Sequence, residues 1–194
     1  MCLASHFHPD HFNKEVLQWR EQRPDIIYIF SKDILRHRRA QKEDAVWLKK
    51  GEEYKDETLS VRAFGSTDVG VSLFASGKWQ KRIFHAGDLN NWHWMDESTE
   101  AEWKGAEKNF LHELDDLYAY TPEVDVAMFP VDPRLGKEYM RGAGQFVTKI
   151  KTHIFVPMHF TPEYAKANAF RDFAEAHGVR FVSLTHRGQK IEIE

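Results

Sequence analysis

Apolar and polar residues alternate along the chain in blocks whose period changes repeatedly, and each change marks an element. Cys2–Ala4 is a short apolar run of the kind that ends a strand. Phe12, Val16 and Trp19 recur at helical spacing and predict a helix over residues 12–21, which Pro24 stops. Residues 26–30 are continuously apolar, the pattern of a strand buried on both faces. Ser31 is placed to cap a short helix through residue 39. The charge-rich residues 41–57, with Gly51 as a turn, read as a surface excursion carrying a short strand at Val46–Leu48. Leu59–Phe64, residues 69–75 and residues 82–84 then predict three successive antiparallel strands punctuated by Gly65, Gly70 and Gly77.

Beyond Ser98, the stripe Phe110, Leu111, Leu114 and Leu117 predicts a helix of about five turns. The remainder alternates: a strand over 124–129, a helix over 135–151, a strand over 153–157 and a helix over 162–177 capped by Gly178. A strand over 179–184 and, past Gly188, an edge strand over 190–193 complete it. This alternation defines an α/β chain, and the consecutive central strands make its sheet mixed. No repeat or Gly/Ser- or Pro-rich linker interrupts the 194 residues, so a single domain over residues 1–194 is expected.

Composition narrows the classes. Apolar residues at 42% exclude disorder and collagen-like repeats. With 27 basic against 30 acidic residues the net charge is −3, so no general basic surface exists and nucleic-acid binding is not expected. A single cysteine, Cys2, excludes an intrachain disulfide and points to the cytoplasm. No apolar run is long enough for a membrane span, and residues 1–5 lack the pattern of a signal peptide.

Histidine changes the picture. The chain has 11, and three fall in the segment His6-Phe7-His8-Pro9-Asp10-His11. In an extended loop residues i and i+2 point the same way, so His6 and His8 can reach one ion. Pro9 bends the chain, and Asp10 and His11 then face the same hole from another side. An H-x-H-x-D-H segment arises by chance in roughly two such chains per thousand, so a metal site is expected. Imidazole with carboxylate suits zinc and related divalent metals. Further ligands should come from later strand ends, where Asp88 (after His85-Ala86-Gly87) and His159 (after Pro157-Met158) qualify.

These residues, with Gly65-Ser66-Thr67-Asp68-Val69-Gly70, the stretch from His85 to Trp92, and the stretch from Phe129 to Arg134, resemble the metallo-β-lactamase superfamily over essentially the whole chain. The resemblance is nearest to its L-ascorbate-6-phosphate lactonase-like and N-acylphosphatidylethanolamine phospholipase D-like branch. It implies an αββα sandwich with one or two divalent metals at one edge, zinc above all, with manganese, iron or nickel as alternatives. By position, His6 and His8 match first-metal ligands, while Asp10, His11 and His159 match second-metal ligands. Asp88 matches the bridging carboxylate, and Asp10 the group that orients or deprotonates the attacking water. The implied activity is hydrolysis of an ester, lactone or phosphodiester bond in a small substrate, phosphorylated ones included. A degenerate, non-catalytic metal-binding member is the alternative.

Two departures stand out. The family places another first-metal histidine in the turn corresponding to Gly65–Gly70, where this chain has none; Asp68 is either its substitute or part of a polar turn. The family also has strands ahead of the first motif, whereas His6 lies almost at the start, so N-terminal strands are expected to be missing, through a misassigned or truncated start or with a homo-oligomer covering the edge as the alternative. Trp92 and His93 are candidate walls of a substrate pocket or a packed loop, and Arg134 is a candidate for binding an anionic group. Oxygen or NO reduction is not expected, because the first motif lacks the H-x-E-x-D pattern of such a di-iron centre.

Overall fold

The computed structural model describes residues 1–193, arranged as two stacked sheets with helices outside each. The smaller sheet is all parallel, in the order β1-β2-β3, from β1 (Cys2–Ala4), β2 (Tyr28–Ser31) and β3 (Val46–Leu48). The pleat of β2 divides its side chains. Tyr28 and Phe30 pack outward with Phe12 and Ile34, while Ile29 points at the second sheet.

The larger sheet has seven strands in the order β10-β9-β8-β7-β6-β5-β4. Its first half is an antiparallel meander of β4 (Glu53–Lys55), β5 (Leu59–Phe64), β6 (Ser72–Gly77) and β7 (Ile83–His85). Its second half, β8 (Glu123–Pro130), β9 (Lys151–Met158) and β10 (Arg180–Phe181), continues parallel from β7. Parallel neighbours need crossovers, which the helices α3 (Glu100–Tyr120), α4 (Arg141–Lys149), α5 (Tyr164–Asn168) and α6 (Arg171–Ala176) supply. The expected mixed-sheet αββα sandwich is therefore present.

Phe84, Phe110, Phe129, Phe146, Phe155 and Phe170 fill the layer between the large sheet and these helices. Burying one such ring stabilises by roughly 1.5–3 kcal/mol. Thr99 starts α3 with a reciprocal cap: it accepts from the Glu102 amide, and the Glu102 carboxylate accepts from the Thr99 amide. The smaller sheet covers the inner face of β5 and β6 through Ile29 and Leu48 against Val61, Ala63, Leu73 and Ala75. It does not cover β8–β10, where the inner-face residues Val126 and Ile154 form a separate cluster with Val182, just past β10, and with Ile83, Leu184 and Ile191. A cavity of about 750 Å³ opens between this cluster and the edge strand β1.

Several elements differ from expectation. The helix over 12–21 is a 3₁₀ turn, Lys14–Gln18, running into α1 (Trp19–Gln22), because Asn13 caps the chain at Glu15. Phe12 thus precedes the helix, and Trp19 is exposed. The short helix after Ser31 is α2 (Lys32–Arg36), ending before residue 39. The helix over 135–151 is two pieces, the 3₁₀ segment Pro133–Glu138, kinked within by Gly136 at φ +80°, and α4. The helix over 162–177 is likewise two pieces, α5 and α6. The charged excursion contributes an additional strand, β4, paired with β5. Residues 190–193 form no strand, although Ile191 packs on the inner face.

Candidate metal centre

The H-x-H-x-D-H loop leaves the end of β1 and is clamped from both sides. The Val71 amide donates to the Ser5 carbonyl at 3.0 Å, and the Phe7 amide donates to the Asp33 carboxylate at 3.1 Å. The Phe12 amide closes the loop on the His8 carbonyl, and the buried Phe12 ring packs edge-on against Phe30. Gly70 and Gly87, both at positive φ, allow two other loops to touch Ser5 directly.

Ser5 is a residue that sequence reasoning missed. Its buried hydroxyl lies 3.2 Å from Nδ1 of both His6 and His11. A hydroxyl oxygen can accept from both Nδ1–H groups, which leaves each Nε2 bare and aimed at Asp88. The two oxygens of Asp88 divide between the rings: Oδ2 is 3.2 Å from His6 Nε2, and Oδ1 is 3.1 Å from His11 Nε2. His8 Nδ1 joins the first group, 3.1 Å from His6 Nε2. His159 Nε2 joins the second, 3.5 Å from Oδ1, as does Asp10, 3.5 Å from His11.

Three overlapping sets have one donor atom from each residue within 4.8 Å of the others: His6, His11 and Asp88; Asp10, His11 and His159; and His8, Asp68 and Asp88. The arrangement fits a divalent ion on an independent observation. Asp88 Oδ1 is buried, and although His11 is near, no hydrogen bond reaches it. Burial pushes the Asp88 carboxyl up and the His6 and His11 imidazoles down, His6 to about 3. Burial thus favours neutral His6 and His11 and disfavours the ionised form of an Asp88 short of partners, a deficit that a divalent ion at this position would relieve.

Asp132 is the second residue that sequence reasoning missed. It is fully buried and accepts from His159 Nδ1 at 2.9 Å and from Arg134 Nε at 3.0 Å. Burial raises its carboxyl, but these bonds outweigh burial and bring it down to about 2. Burial alone would lower His159; the Asp132 bond and the Asp88 charge reverse that and raise it. With its proton held on Nδ1, His159 presents Nε2 to the cluster. His159 sits at φ +62°, a left-handed backbone state shared with Thr161 two residues on. In the sequence Asp132 stands out only by its place in the Phe129–Arg134 stretch that resembles the family, a few residues past an apolar strand.

The remaining candidates separate. Arg134 lines the cavity with Asp10, His11 and His159. Trp92 donates its indole N–H to the Asp88 carbonyl at 2.8 Å and sets its ring edge-on to His159, so it braces the cluster. His93 is buried away from the cavity, one ring nitrogen accepting from the Met95 amide and the other meeting the Glu138 carbonyl. Asp68 is exposed beside a half-buried polar turn in which its amide donates to Ser66 at 3.4 Å, and it also falls within the His8 and Asp88 set.

No helix among the described residues is long and apolar enough to cross a membrane. No protein-family model and no curated protein matches the chain. Solved structures do. Igni18, a metallo hydrolase from the hyperthermophilic archaeon Ignicoccus hospitalis, superposes with a TM-score of 0.62 at 15% identity, over 94% of this chain and 74% of that one. YhfI of Bacillus subtilis, a metallo-β-lactamase fold protein, gives 0.58 at 9% identity over 93% and 74%. CmlA, a diiron β-hydroxylase from Streptomyces venezuelae, gives 0.58 at 12% identity over 94% of this chain and 43% of its own. Together with the two-sheet topology and the position of the histidine loop, these likenesses show that the chain has the metallo-β-lactamase fold.

Proposed function

We propose that the chain is a metal-dependent hydrolase acting on an ester, lactone or phosphodiester bond of a small substrate, the lactonase-like branch being the finer reading. One observation carries this: Asp88 turns one carboxylate oxygen to His6 and the other to His11 and His159, and the latter oxygen has no hydrogen bond of its own. In this reading His6, His8, Asp68 and Asp88 hold one ion, and Asp10, His11, His159 and Asp88 a second. Zinc suits this mixture of imidazole and carboxylate. When bound, such ions supply a water ionised near neutral pH and polarise the oxygen of the bond to be cut. Asp10, exposed and lining the cavity beside His11, would orient such a water and could hold the proton it gives up. Arg134, anchored by Asp132, keeps part of its guanidinium toward the cavity, where it can hold an anionic group.

The test is a zinc titration of metal-free protein with ions counted per chain, followed by a hydrolysis screen of phosphodiesters, lactones and thioesters. Two ions, one weaker, and turnover of one class are expected. No binding at saturating zinc ends the proposal, and binding without turnover would favour a non-catalytic member. Asp68→Ala should remove the weaker ion alone; an unchanged titration would take Asp68 out of the set. Asp132→Asn should weaken the ion held through His159 by about 10- to 100-fold, measured by chelator competition, and spare the His8 group. Equal weakening of both ions would mean that Asp132 serves the fold rather than His159.

A further inference from the structure

We propose that His85 is a specificity-determining hydrogen-bond donor inside the cavity, so that the molecule bound there carries an uncharged oxygen acceptor on an apolar body. The inference rests on the hydrolase reading for the word substrate, but not for the binding itself.

The cavity has two chemically distinct ends. Asp10, His11, Arg134 and His159 gather at one, while Leu3, Leu73, Ala75, Ile83 and Leu184 wall the rest. His85 is a polar residue set among them, with Ser5 and Thr161 also on the lining and the His11 charge within its reach. Its position follows from the pleat of β7, where Phe84 points to the helix-side core and Ile83 and His85 point inward. Leu73 on β6 and Met128 on β8 flank it by register, so its place along the wall is set by two strand pairings.

The ring is held in one tautomer. His85 Nδ1 accepts the Gly87 amide at 3.0 Å, which puts the ring hydrogen on Nε2. Burial lowers its imidazole to about 4, so the ring stays neutral near pH 7. Among the described residues no group accepts from His85 Nε2. A half-buried donor without an acceptor is costly to keep dry and discriminates strongly between ligands that satisfy it and those that do not. The ring carries no charge to offset desolvation of an anion, so a carbonyl, ether or hydroxyl oxygen is the matching group.

The test uses the full chain, with and without saturating zinc, and two probes of the same shape: acetophenone and α-methylstyrene, in which a methylene replaces the carbonyl oxygen. Binding is followed by NMR of ¹⁵N-histidine-labelled protein. Acetophenone should bind about 10-fold more tightly and shift the His85 Nε2 resonance, in line with one net hydrogen bond. His85→Phe should bind both probes equally, and His85→Gln, which keeps a donor, should retain part of the preference. Equal binding in the unaltered protein, a preference that survives His85→Phe, or no binding of either probe overturns the proposal. Loss of the ketone preference with hydrolysis intact would reject His85 alone. Ketone preference without metal binding would reject the hydrolase reading alone.

Discussion

Asp88→Asn is expected to remove both ions and hydrolysis while making the metal-free protein more stable. The opposite signs have one origin. Asp88 is nearly buried, with one oxygen toward His6 and the other toward His11, and burial pushes its carboxyl up. The ionised form is therefore disfavoured in the folded metal-free chain. That penalty is absent below pH ~4, where the unfolded carboxyl is also protonated, and complete once the pH exceeds the raised folded value. An amide needs no such ionisation. At pH 7 the variant without metal should melt at a higher temperature than the unaltered chain, each kcal/mol gained being worth roughly 2–4 °C. The gain should vanish on acidification below pH ~4. Zinc should raise the melting temperature of the unaltered chain and leave that of the variant unchanged, with affinity down more than ~100-fold. A variant that is destabilised without metal, or still stabilised by zinc, would show that Asp88 is a structural partner of the histidines rather than a shared ligand.

Gly70→Ala is expected to damage the site without touching a ligand. Gly70 has φ +75°, and a Cβ there would stand 2.1 Å from the Ser5 carbonyl oxygen and 2.4 Å from His6 Cβ. The Ser5 carbonyl cannot retreat freely, because it accepts from the Val71 amide. The histidine loop itself must therefore move, at a cost above ~2 kcal/mol and with loss of the alignment of His6 and His11 on Asp88. Gly51→Ala separates strain from contact. It shares the left-handed backbone, at φ +86°, but meets nothing within 4 Å. Its cost should be about 1–2 kcal/mol, with zinc binding intact. Melting curves and zinc titrations of the two variants decide the matter: comparable zinc affinity in both would refute the clamping role of Gly70.

The chain's local patterns stated much of this in advance. Continuous apolar runs became β2, β8 and β9, and the leucine stripe became α3, because burial on a face leaves its period in the sequence. The helices over 135–151 and 162–177 were overestimated. Apolar spacing there persists across a kink at Gly136, the junction of the 3₁₀ segment with α4, and the turn between α5 and α6. The histidine loop was legible because metal chemistry needs several scarce residue types close together, which chance seldom supplies.

By itself the sequence determined the α/β class, the mixed order of strands and the residue types able to hold a metal, since these depend on periodicity and on local spacing. Only the tertiary structure decided which groups meet. Ser5 reaches both the adjacent ring and one six residues on, Asp132 reaches His159 across 27 residues of chain, His93 turns into the packing, and His85 turns toward the cavity. None of these outcomes leaves a local signature. Each is set by strand register and by how closely Gly70 and Gly87 let three loops approach one another, and such contacts are a property of packing rather than of pattern.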